Sequence, residues 1–324
     1  MTKTAGASIL PSPFLADVAR DLQRTPKQLQ ARYLYDALGS SLFDAICRLP
    51  WYRITRAEAR LLRQHADDVA RALLARGAEP TIVELGCGNG EKLEELLKAL
   101  PAGGAAAAHL IDISAEALQA TASRVSAIPG LTVSLHEGTY EQGLAAVGAR
   151  LRQHSATLVL FLGSNIGNFD RAGANALLEA VRDSLQPGAL FLLGADLVKP
   201  REDLLLAYDD PLGVTAAFNR NLLVRINREL DADFDLGAFA HRAVWNEREH
   251  RVEMHLVSLR DQQVHLAAAD LRLHFVRGET IWTESSYKYS EDEIRRLGVE
   301  RGFSVTRQWA DAEARFALTL FSAV

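Results

Sequence analysis

The stretch from Thr81 to Lys92, TIVELGCGNGEK, constrains the fold of this chain more than any other part of the sequence. Its apolar run, Thr81–Leu85, predicts a short buried strand, and the alternating glycines Gly86, Gly88 and Gly90 predict a turn into a helix. Glycine adopts positive φ and lets the backbone lie against a ligand with no Cβ in between. The stretch therefore predicts a strand, a turn and a helix whose N-terminus holds a flat or anionic group.

The spacing of these glycines separates two classes of adenosine-binding enzyme. The dinucleotide fingerprint of nicotinamide-dependent reductases has its third glycine three places after the second, and Glu91 occupies that place here. The G-x-G-x-G spacing instead resembles the first motif of class I S-adenosylmethionine (SAM) methyltransferases. A glycine-rich turn alone is a weak signal, so a reductase, a non-catalytic adenosine-binding module and a plain strand-to-helix turn stay open at this point.

Composition and charge narrow the class of protein. The chain has 324 residues, 48% hydrophobic and 24% charged, which is typical of a soluble protein with one large domain or two ordinary ones. Its formal net charge of -5 argues against a general nucleic-acid binder. Two cysteines, Cys47 and Cys87, are too few for a disulfide framework. Because MTKTAGASILPSPF lacks the apolar core of a signal peptide and no apolar run reaches membrane length, we expect a cytoplasmic protein with no membrane partner.

Downstream of the glycine turn, apolar runs alternate with amphipathic stretches. This alternation predicts the α/β class, with a parallel sheet covered by helices on both faces and ligands at the carboxyl ends of the strands. The predicted strands are Thr81–Leu85, His109–Ile113, Leu131–Leu135, Thr157–Leu162 and Ala189–Gly194. The predicted helices are Glu91–Ala99, Ala115–Ala127 and Arg171–Leu185.

Polar residues follow the second and third predicted strands, where an adenosine would bind. Asp112 ends the second strand, and a carboxylate at that place accepts both hydroxyls of a ribose. The competing role for Asp112 is a helix N-cap, which suits Ser114 better. Thr139 and Tyr140 follow the third strand in a predicted loop that could lie beside an adenine.

The fourth predicted strand runs into FLGSNIGNF, which predicts a polar lip formed by Asn165, Gly167 and Asn168. We expect this lip to face the reactive end of the cofactor. The Asn-Pro-Pro-aromatic tetrapeptide of many amide or nucleobase N-methyltransferases does not occur in this stretch of the sequence. Its absence counts against a nucleic-acid substrate.

The end of the chain indicates an insertion. A minimal class I methyltransferase finishes with one helix and an antiparallel hairpin, and this ending is predicted only at Glu291–Val324. Residues of about 197–285 are mostly helical at first and then alternate like antiparallel strands, which predicts an inserted α+β substrate-binding domain. We expect four segments: 1–55, an N-terminal arm and substrate lid; 56–196, the SAM-binding core; 197–285, the inserted domain; and 286–324, the closing helix and hairpin.

The segments before the glycine turn are helical in pattern. Residues 1–30 predict an arm with a short helix from about Phe14, and residues 58–77 predict an exposed helix. Between them, four residues have the helical spacing of packing residues: Leu38, Leu42, Phe43 and Ile46.

Two groups of polar residues have plain structural interpretations. The basic cluster Arg220, Arg225 and Arg228 predicts a solvated helix face. The nine histidines are scattered without ligand spacing, so we expect no metal site.

Blocks along nearly the whole chain from about Arg32 carry a closer resemblance. In order, they are YDALGSSLFDAICRLPWY, VELGCGNGEK, FLGSNIGN, AYDDPLGVTAAFNRN and TESSYK. Together they resemble the L-histidine Nα-methyltransferase family of ergothioneine biosynthesis. The resemblance implies a monomer that transfers three methyl groups in turn from SAM to the α-amine of histidine, giving hercynine.

The resemblance also implies roles for individual residues. The residues assigned to the cofactor lie in the glycine turn, in the helix after it and in the following loops. The family commonly has an acidic residue and a phenylalanine at the positions of Thr139 and Tyr140. The cofactor-binding residues that the resemblance implies are Gly86, Lys92 and Asp112. The glycine turn adds Gly88, and the loop after the third strand adds Thr139 and Tyr140. The substrate carboxylate and amine fall to Tyr52, Asn168 and Tyr208, and the imidazole to Glu284 and Ser286. Asn168 and Tyr35 are the implied catalytic pair.

Physical chemistry agrees with these roles. Because SAM carries an activated methyl group, the protein mainly has to align an amine with it, and a neutral amine hydrogen-bonded by Asn168 suits successive transfers. Glu284 and Ser286 lie two apart, so in an extended segment both side chains point to one face and can hold the two nitrogens of one imidazole. The nearest alternative is a SAM-dependent N-methyltransferase acting on another amino acid or small amine.

Overall fold

The computed structural model describes residues 12–101 and 106–324. Residues 1–11 of the predicted arm lie outside the described residues. The helices are α1 Pro13–Leu22, α2 Ala37–Arg48, α3 Ile54–Leu74, α4 Glu91–Lys98, α5 Ala115–Val125, α6 Tyr140–Leu151, α7 Arg171–Asp183, α8 Arg201–Tyr208, α9 Val214–Leu230 and α10 Glu291–Val299. The strands are β1 Lys27–Gln28, β2 Thr81–Leu85, β3 Ala106–Asp112, β4 Leu131–Glu137, β5 Thr157–Phe161, β6 Leu190–Asp196, β7 Phe239–Asn246, β8 Arg251–Ser258, β9 Gln262–Leu266, β10 Leu271–Phe275, β11 Thr280–Tyr287, β12 Phe303–Asp311 and β13 Phe316–Ala323.

A seven-stranded sheet in the order β12-β13-β6-β5-β2-β3-β4 forms the centre of the fold. Strands β4, β3, β2, β5 and β6 run parallel, whereas β13 pairs antiparallel with both β6 and β12. The order of the strands reverses between β2 and β5, and in open α/β sheets the crevice at such a point is where ligands bind. The predicted α/β fold class, a Rossmann-like class I methyltransferase sheet, is confirmed.

The sequence of the central strands explains their position. Strands β2, β5 and β6 are buried at every residue, as expected of parallel strands covered on both faces. Val83 and Leu85 join a core that includes Leu144 of α6 and Leu177 of α7. Because side chains alternate along a strand, Glu84 points to the opposite face of β2.

The chain divides into two compact units. The sheet unit comprises Cys47–Ala207, Trp245–Val252 and Ser285–Val324, and the smaller unit comprises the residues up to Ile46, Tyr208–Val244 and Glu253–Glu284. Between Asp196 and Phe303 the chain, all of it described, contributes no strand to the seven-stranded sheet. The bounds of these two units differ from the bounds of the four predicted segments. The segment bounds therefore stay a prediction.

Strands and one long helix build the smaller unit. It holds most of a four-stranded sheet in the order β1-β11-β8-β7 and an antiparallel pair, β9 and β10. Helix α9 buries Phe218, Leu222 and Ile226. The predicted solvated face of α9 is wrong at Arg225, whose side chain is 19% exposed and donates to the carbonyl of Tyr33 at 3.0 Å. 

Three further predictions of local structure were wrong. Leu38 is 48% exposed and does not pack as expected, although Ile46 of the same helix is 3% exposed. Tyr140 does not belong to a loop but begins helix α6, which the sequence analysis missed. Helix α3 is not an exposed helix, because it buries a stripe that includes Leu61 and Leu62.

Candidate active site

The glycine turn after β2 has a left-handed backbone. Gly86, Gly88 and Gly90 have φ of 76°, 54° and 76°. A Cβ on Gly86 would lie 2.9 Å from both the Asn165 Nδ2 and the Tyr140 Oη, so this position is enclosed by protein. A Cβ on Gly88, in contrast, would meet no protein atom within 4 Å. The middle of the turn therefore offers bare backbone facing open space, as a ligand cradle requires.

Asp112 lies beside the glycine turn at the carboxyl end of β3. Its Oδ1 accepts the Ser114 N–H at 2.9 Å, and its Oδ2 is 3.8 Å from the Cys87 Sγ. Burial raises the pKa of Asp112, although backbone N–H groups of Ser114, Gly88 and Cys87 oppose the rise. The cap of α5 is supplied by the hydroxyl of Ser114, which accepts the Ala117 N–H at 3.1 Å. Helix capping therefore does not account for Asp112.

Thr139 and Tyr140 lie at the start of α6. The Thr139 hydroxyl and the Gln142 side chain form a capping box, a sequence signal that could have revealed this helix. The Tyr140 ring packs on Phe161 at 5.3 Å and Phe169 at 6.2 Å between centroids. Burial raises the pKa of the Tyr140 hydroxyl, so it stays neutral. Adenine contacts by these two residues stay a prediction.

Lys92 lies in the first turn of α4 and forms a salt bridge of 2.5 Å with Glu58 of α3. Sequence analysis missed Glu58, which is 1% exposed. The signal was present, since Glu58 falls at helical spacing with Ile54, Leu61 and Leu62 on the apolar stripe of α3.

Glu84, on β2, is a second buried acid that sequence analysis left without a role. Burial raises its pKa to about 8, against the opposing charge of Lys92. Its Oε2 has no hydrogen-bond partner among the described residues. Glu84 is therefore protonated and uncharged at neutral pH.

The lip after β5 meets the segment that carries Ser286. Asn165–Asn168 form a single 3-10 turn in which Asn168 is exposed. A Cβ on Gly167 would lie 2.7 Å from the Tyr287 carbonyl oxygen and 3.4 Å from the Ser286 Oγ. Glycine at 167 thus allows the lip to lie directly against this segment.

Ser286 is held by a buried charge cluster. The Lys288 Nζ donates to the Ser286 Oγ at 2.8 Å and lies 3.0 Å from the Asp196 Oδ2. Asp196 also binds the Lys199 Nζ at 2.5 Å. The Lys288 side chain is fully buried, and such an ammonium group requires partners of this kind. Lys288 ends the segment TESSYK, and no role was predicted for it.

Tyr52 belongs to the sheet unit, where it is 7% exposed just before α3. The remaining predicted residues, Tyr35, Tyr208 and Glu284, belong to the smaller unit. The Tyr35 ring packs against Phe43 and Phe218, each at 5.5 Å between centroids. Convergence of these residues on one substrate stays a prediction.

Tyr208 ends α8 and is held through its backbone. The His241 Nε2 lies 2.8 Å from the Tyr208 carbonyl oxygen, and the His241 Nδ1 lies 3.0 Å from the Asn219 Nδ2. Burial lowers the pKa of His241, so its ring is neutral, donating at Nε2 and accepting at Nδ1. The carbonyl of Glu284, in β11, accepts the Trp282 Nε1–H at 2.9 Å, and Glu284 is 9% exposed.

Similarity to known proteins decides the family. The sequence profile of a family described as histidine-specific, SAM-dependent methyltransferases matches residues 14–323. The chain belongs to this family. It is 42% identical over 306 residues to the histidine N-alpha-methyltransferase of Mycolicibacterium smegmatis, covering 94% of this chain and 93% of that protein.

Two other relatives of this methyltransferase carry different names. The chain is 31% identical to ergothioneine biosynthesis protein 1 of Neurospora crassa, over 88% of this chain and 32% of that protein. It is 29% identical to the 4-dimethylallyltryptophan N-methyltransferase of Claviceps fusiformis, over 91% of this chain and 87% of that protein. The nicotinamide-dependent reductase and the non-catalytic module are thereby excluded.

The residues present fit SAM, the cofactor of this family. The open space at Gly88 accommodates a ligand against bare backbone, the Asp112 carboxylate suits ribose hydroxyls, and the Lys92 ammonium suits a carboxylate. Among the described residues, no group of three or more His, Cys, Asp or Glu side chains could hold a metal ion. The same residues include no helix that is long and apolar enough to span a membrane.

Proposed function

We propose that this methyltransferase trimethylates the α-amino group of L-histidine to hercynine, a step of ergothioneine biosynthesis. The observation that carries the proposal is the extent of the family match, residues 14–323. The match includes Tyr208, Glu284 and Ser286 as well as the glycine turn. It therefore supports the substrate as well as the cofactor.

In the proposed mechanism SAM supplies an activated methyl group, so the protein has to orient the amine and keep it unprotonated. The amide of Asn168 hydrogen-bonds the α-amine, and Tyr35 is the second residue assigned to catalysis. The hydroxyls of Tyr52 and Tyr208 bind the substrate carboxylate. Because no carboxylate is among the residues assigned to the amine, nothing there favours the protonated, unreactive form, and methylation can proceed to the third step.

Glu284 and Ser286 select the imidazole in this proposal. A carboxylate accepts a ring N–H, and a hydroxyl donates to or accepts from the other ring nitrogen. Because the Lys288 Nζ donates to the Ser286 Oγ, the hydroxyl oxygen is held in place and its O–H is polarised as a donor. Few other amino-acid side chains present two ring nitrogens to such a pair.

The test is mass spectrometry of L-histidine incubated with SAM and the protein. Trimethylhistidine should accumulate, with the mono- and dimethyl forms appearing only in passing. A reaction that stops at the monomethyl product with excess SAM contradicts the trimethylation, and no methylated histidine at all contradicts the substrate.

The second candidate is N-methylation of another amino acid or amine. It is favoured by the 29% identity to an enzyme named for a tryptophan derivative. The same incubation with tryptophan and with 4-dimethylallyltryptophan separates the two candidates. Faster methylation of either compound than of histidine would support the second candidate.

We further propose that the protein acts as a cytoplasmic monomer without nucleic-acid or membrane partners. The net charge of -5 supports the absence of a nucleic-acid partner, the low cysteine count of two supports the cytoplasm, and the monomer is what the family resemblance implies. Light scattering coupled to size-exclusion chromatography should give one mass near 35.5 kDa. A mass of twice that value would contradict the monomer.

A further inference from the structure

Glu58 is a carboxylate on the buried stripe of α3. It is 1% exposed, and Ala57, Leu61 and Leu62 beside it are equally buried. Removing a carboxylate from water is costly unless it is paired and hydrogen-bonded. The partners of Glu58 therefore indicate what this residue does.

Those partners come from the loop after β5 and from α4. The Gly163 N–H, just after β5, lies 2.8 Å from the Glu58 Oε1 and 2.9 Å from its Oε2. The Lys92 Nζ lies 2.5 Å from the Oε2. At Gly194 in β6, a Cβ would overlap the Oε1, so glycine there makes room for the carboxylate. One buried side chain thus ties together three parts of the sheet unit.

The tied parts border the crevice between β2 and β5. A Cβ on Gly163, whose φ is 77°, would lie 3.1 Å from the Lys92 Nζ and 3.6 Å from the Asn165 Oδ1. The Nδ2 of Asn165 in turn reaches the Gly86 position. Glu58 therefore fixes the wall that faces the glycine turn, at the place where the strand order reverses.

Charge gives Glu58 a second effect. The charged or titratable groups acting on Lys92 are Glu58 of α3, Glu84 of β2 and Cys47 of α2. Burial by itself lowers the pKa of Lys92, but the charge and hydrogen bond of Glu58 raise it above its ordinary value. Glu84 is uncharged at neutral pH, so Glu58 supplies the negative charge that keeps Lys92 protonated.

We propose that Glu58 is a positioning residue of the cofactor pocket, which presents the Lys92 ammonium and the Gly163 turn to the carboxylate of SAM. This role takes SAM as its ligand from the proposed function but does not depend on the substrate that is methylated. It adds to that function a residue from outside the glycine motif that touches the cofactor only through its partners.

The experiment titrates S-adenosylhomocysteine, which keeps the carboxylate of SAM, into wild type and variants by calorimetry without any amine. Glu58→Gln, which keeps the shape but removes the charge, should weaken binding roughly tenfold to hundredfold, the scale of a charged hydrogen bond. Lys92→Met should do the same. The double variant should bind no more than about threefold more weakly than either single variant, because the two residues act as one unit.

The matched control is Asp68→Asn, which breaks a salt bridge of 2.7 Å with Arg71 on α3, the helix that also carries Glu58. It should leave the affinity unchanged. Losses that multiply in the double variant, or a lower melting temperature of Glu58→Gln with unchanged affinity, would overturn the proposal. Where Glu58→Gln does not fold, Glu58→Asp keeps the charge at shorter reach and should fall between wild type and Lys92→Met; full affinity in it would overturn the proposal as well.

Titrations with S-adenosylhomocysteine at several pH values distinguish this role from a merely structural one, which would not change the pH dependence of binding. Without Glu58, burial lowers the pKa of Lys92, so the ammonium loses its proton as pH rises. Glu84 becomes charged near pH 8 and would replace the lost charge, so the comparison is made in a Glu84→Gln background. There, the ratio of the dissociation constants with and without Glu58→Gln should increase from pH 7 to pH 9, and a constant ratio contradicts the proposal. Wild type that binds S-adenosylhomocysteine but does not methylate histidine would contradict the proposed substrate and leave the role of Glu58 standing.

Discussion

The glycine turn after β2 and the strand β11 prepare for a ligand in different ways. The turn consists of neighbouring residues whose backbone is available to a ligand, since a Cβ on Gly88 would meet no protein atom within 4 Å. In β11, burial alternates up to Thr283 and then two successive residues, Thr283 and Glu284, are both buried. The Thr283 Oγ1 lies 2.7 Å from the Asn219 Oδ1 and 3.0 Å from the Met254 carbonyl oxygen.

In the proposed reaction, the glycine turn binds the cofactor and β11 selects the substrate. A backbone cradle depends on residues that follow one another, so it serves any member of a cofactor class. In β11, Thr283 is held by Asn219 of α9 and Met254 of β8, which are distant in sequence, and the proposal assigns the selectivity to the side chains of Glu284 and Ser286. Cofactor binding and substrate choice should therefore respond to different substitutions.

The largest effect is expected at the turn itself. Gly88→Val should abolish SAM binding, because it places a branched side chain in the open space and strains a φ of 54°. SAM should raise the melting temperature of wild type only. The control is Gly278→Val, since Gly278 has a φ of 87° and the same open space around its Cβ position. If SAM stabilises Gly88→Val and wild type equally, the glycine turn does not bind SAM.

The next effect should appear at the end of β3. Asp112→Ala should weaken SAM binding roughly tenfold to hundredfold, because it removes the acceptor assigned to the ribose hydroxyls. Calorimetry measures the loss. Asp170→Ala, which removes the cap on the Gly173 N–H of α7, should cost about 1 kcal/mol of stability but leave SAM affinity intact. An Asp112→Ala protein with wild-type affinity would leave the carboxylate without a ligand role.

In β11 the effect should fall on the substrate alone. Glu284→Ala should weaken histidine binding by about 1.5 to 3 kcal/mol in the presence of S-adenosylhomocysteine, while SAM affinity barely changes. Glu279→Ala, which removes the partner of Lys27 just before the same strand, is the control. Unchanged histidine affinity in Glu284→Ala would favour another amine as the substrate.

A paired substitution sharpens the comparison. Glu284→Asn with Ser286→Thr should relax the preference towards phenylalanine and tryptophan, because the grip on two ring nitrogens is lost. Titration of the double variant with histidine, phenylalanine and tryptophan measures the change. If the order of affinities is the same as in wild type, selectivity lies elsewhere than in β11.

The last effect concerns the pH dependence of stability at Glu84, and it is the smallest when expressed for a single pH unit. The pKa of Glu84 is about 8 in the folded protein, against an ordinary value of 4.5. Between these values the unfolded chain has lost the proton that the folded protein keeps, so the stability of wild type falls as pH rises. Glu84→Gln removes this dependence and should gain about 1 kcal/mol over wild type for each pH unit from 5 to 8.

Urea unfolding at several pH values measures that gain. The control is Glu94→Gln, since Lys98 and Arg124 hold the pKa of Glu94 below its ordinary value and confine its effect to acid pH. A constant difference between Glu84→Gln and wild type would mean that Glu84 is charged in the folded protein.

Local sequence determined much of the sheet. Thr81–Leu85 was predicted with its observed bounds, and the order of strands and helices from β2 to β6 was predicted except for α6. These elements could be predicted because the apolar period and the glycine spacing act over a few neighbouring residues. Helix α6 was missed although its capping box, Thr139 and Gln142, was present in the sequence.

Tertiary structure alone decided which partners the buried polar residues contact. The spacing of Glu58 places it on the apolar stripe of α3, but its partners Gly163 and Lys92 lie far along the chain. Arg225 was interpreted as solvated, but it contacts Tyr33. The physical reason is that the cost of burying a charge is met by partners from other elements, and spacing along one helix carries no information about them.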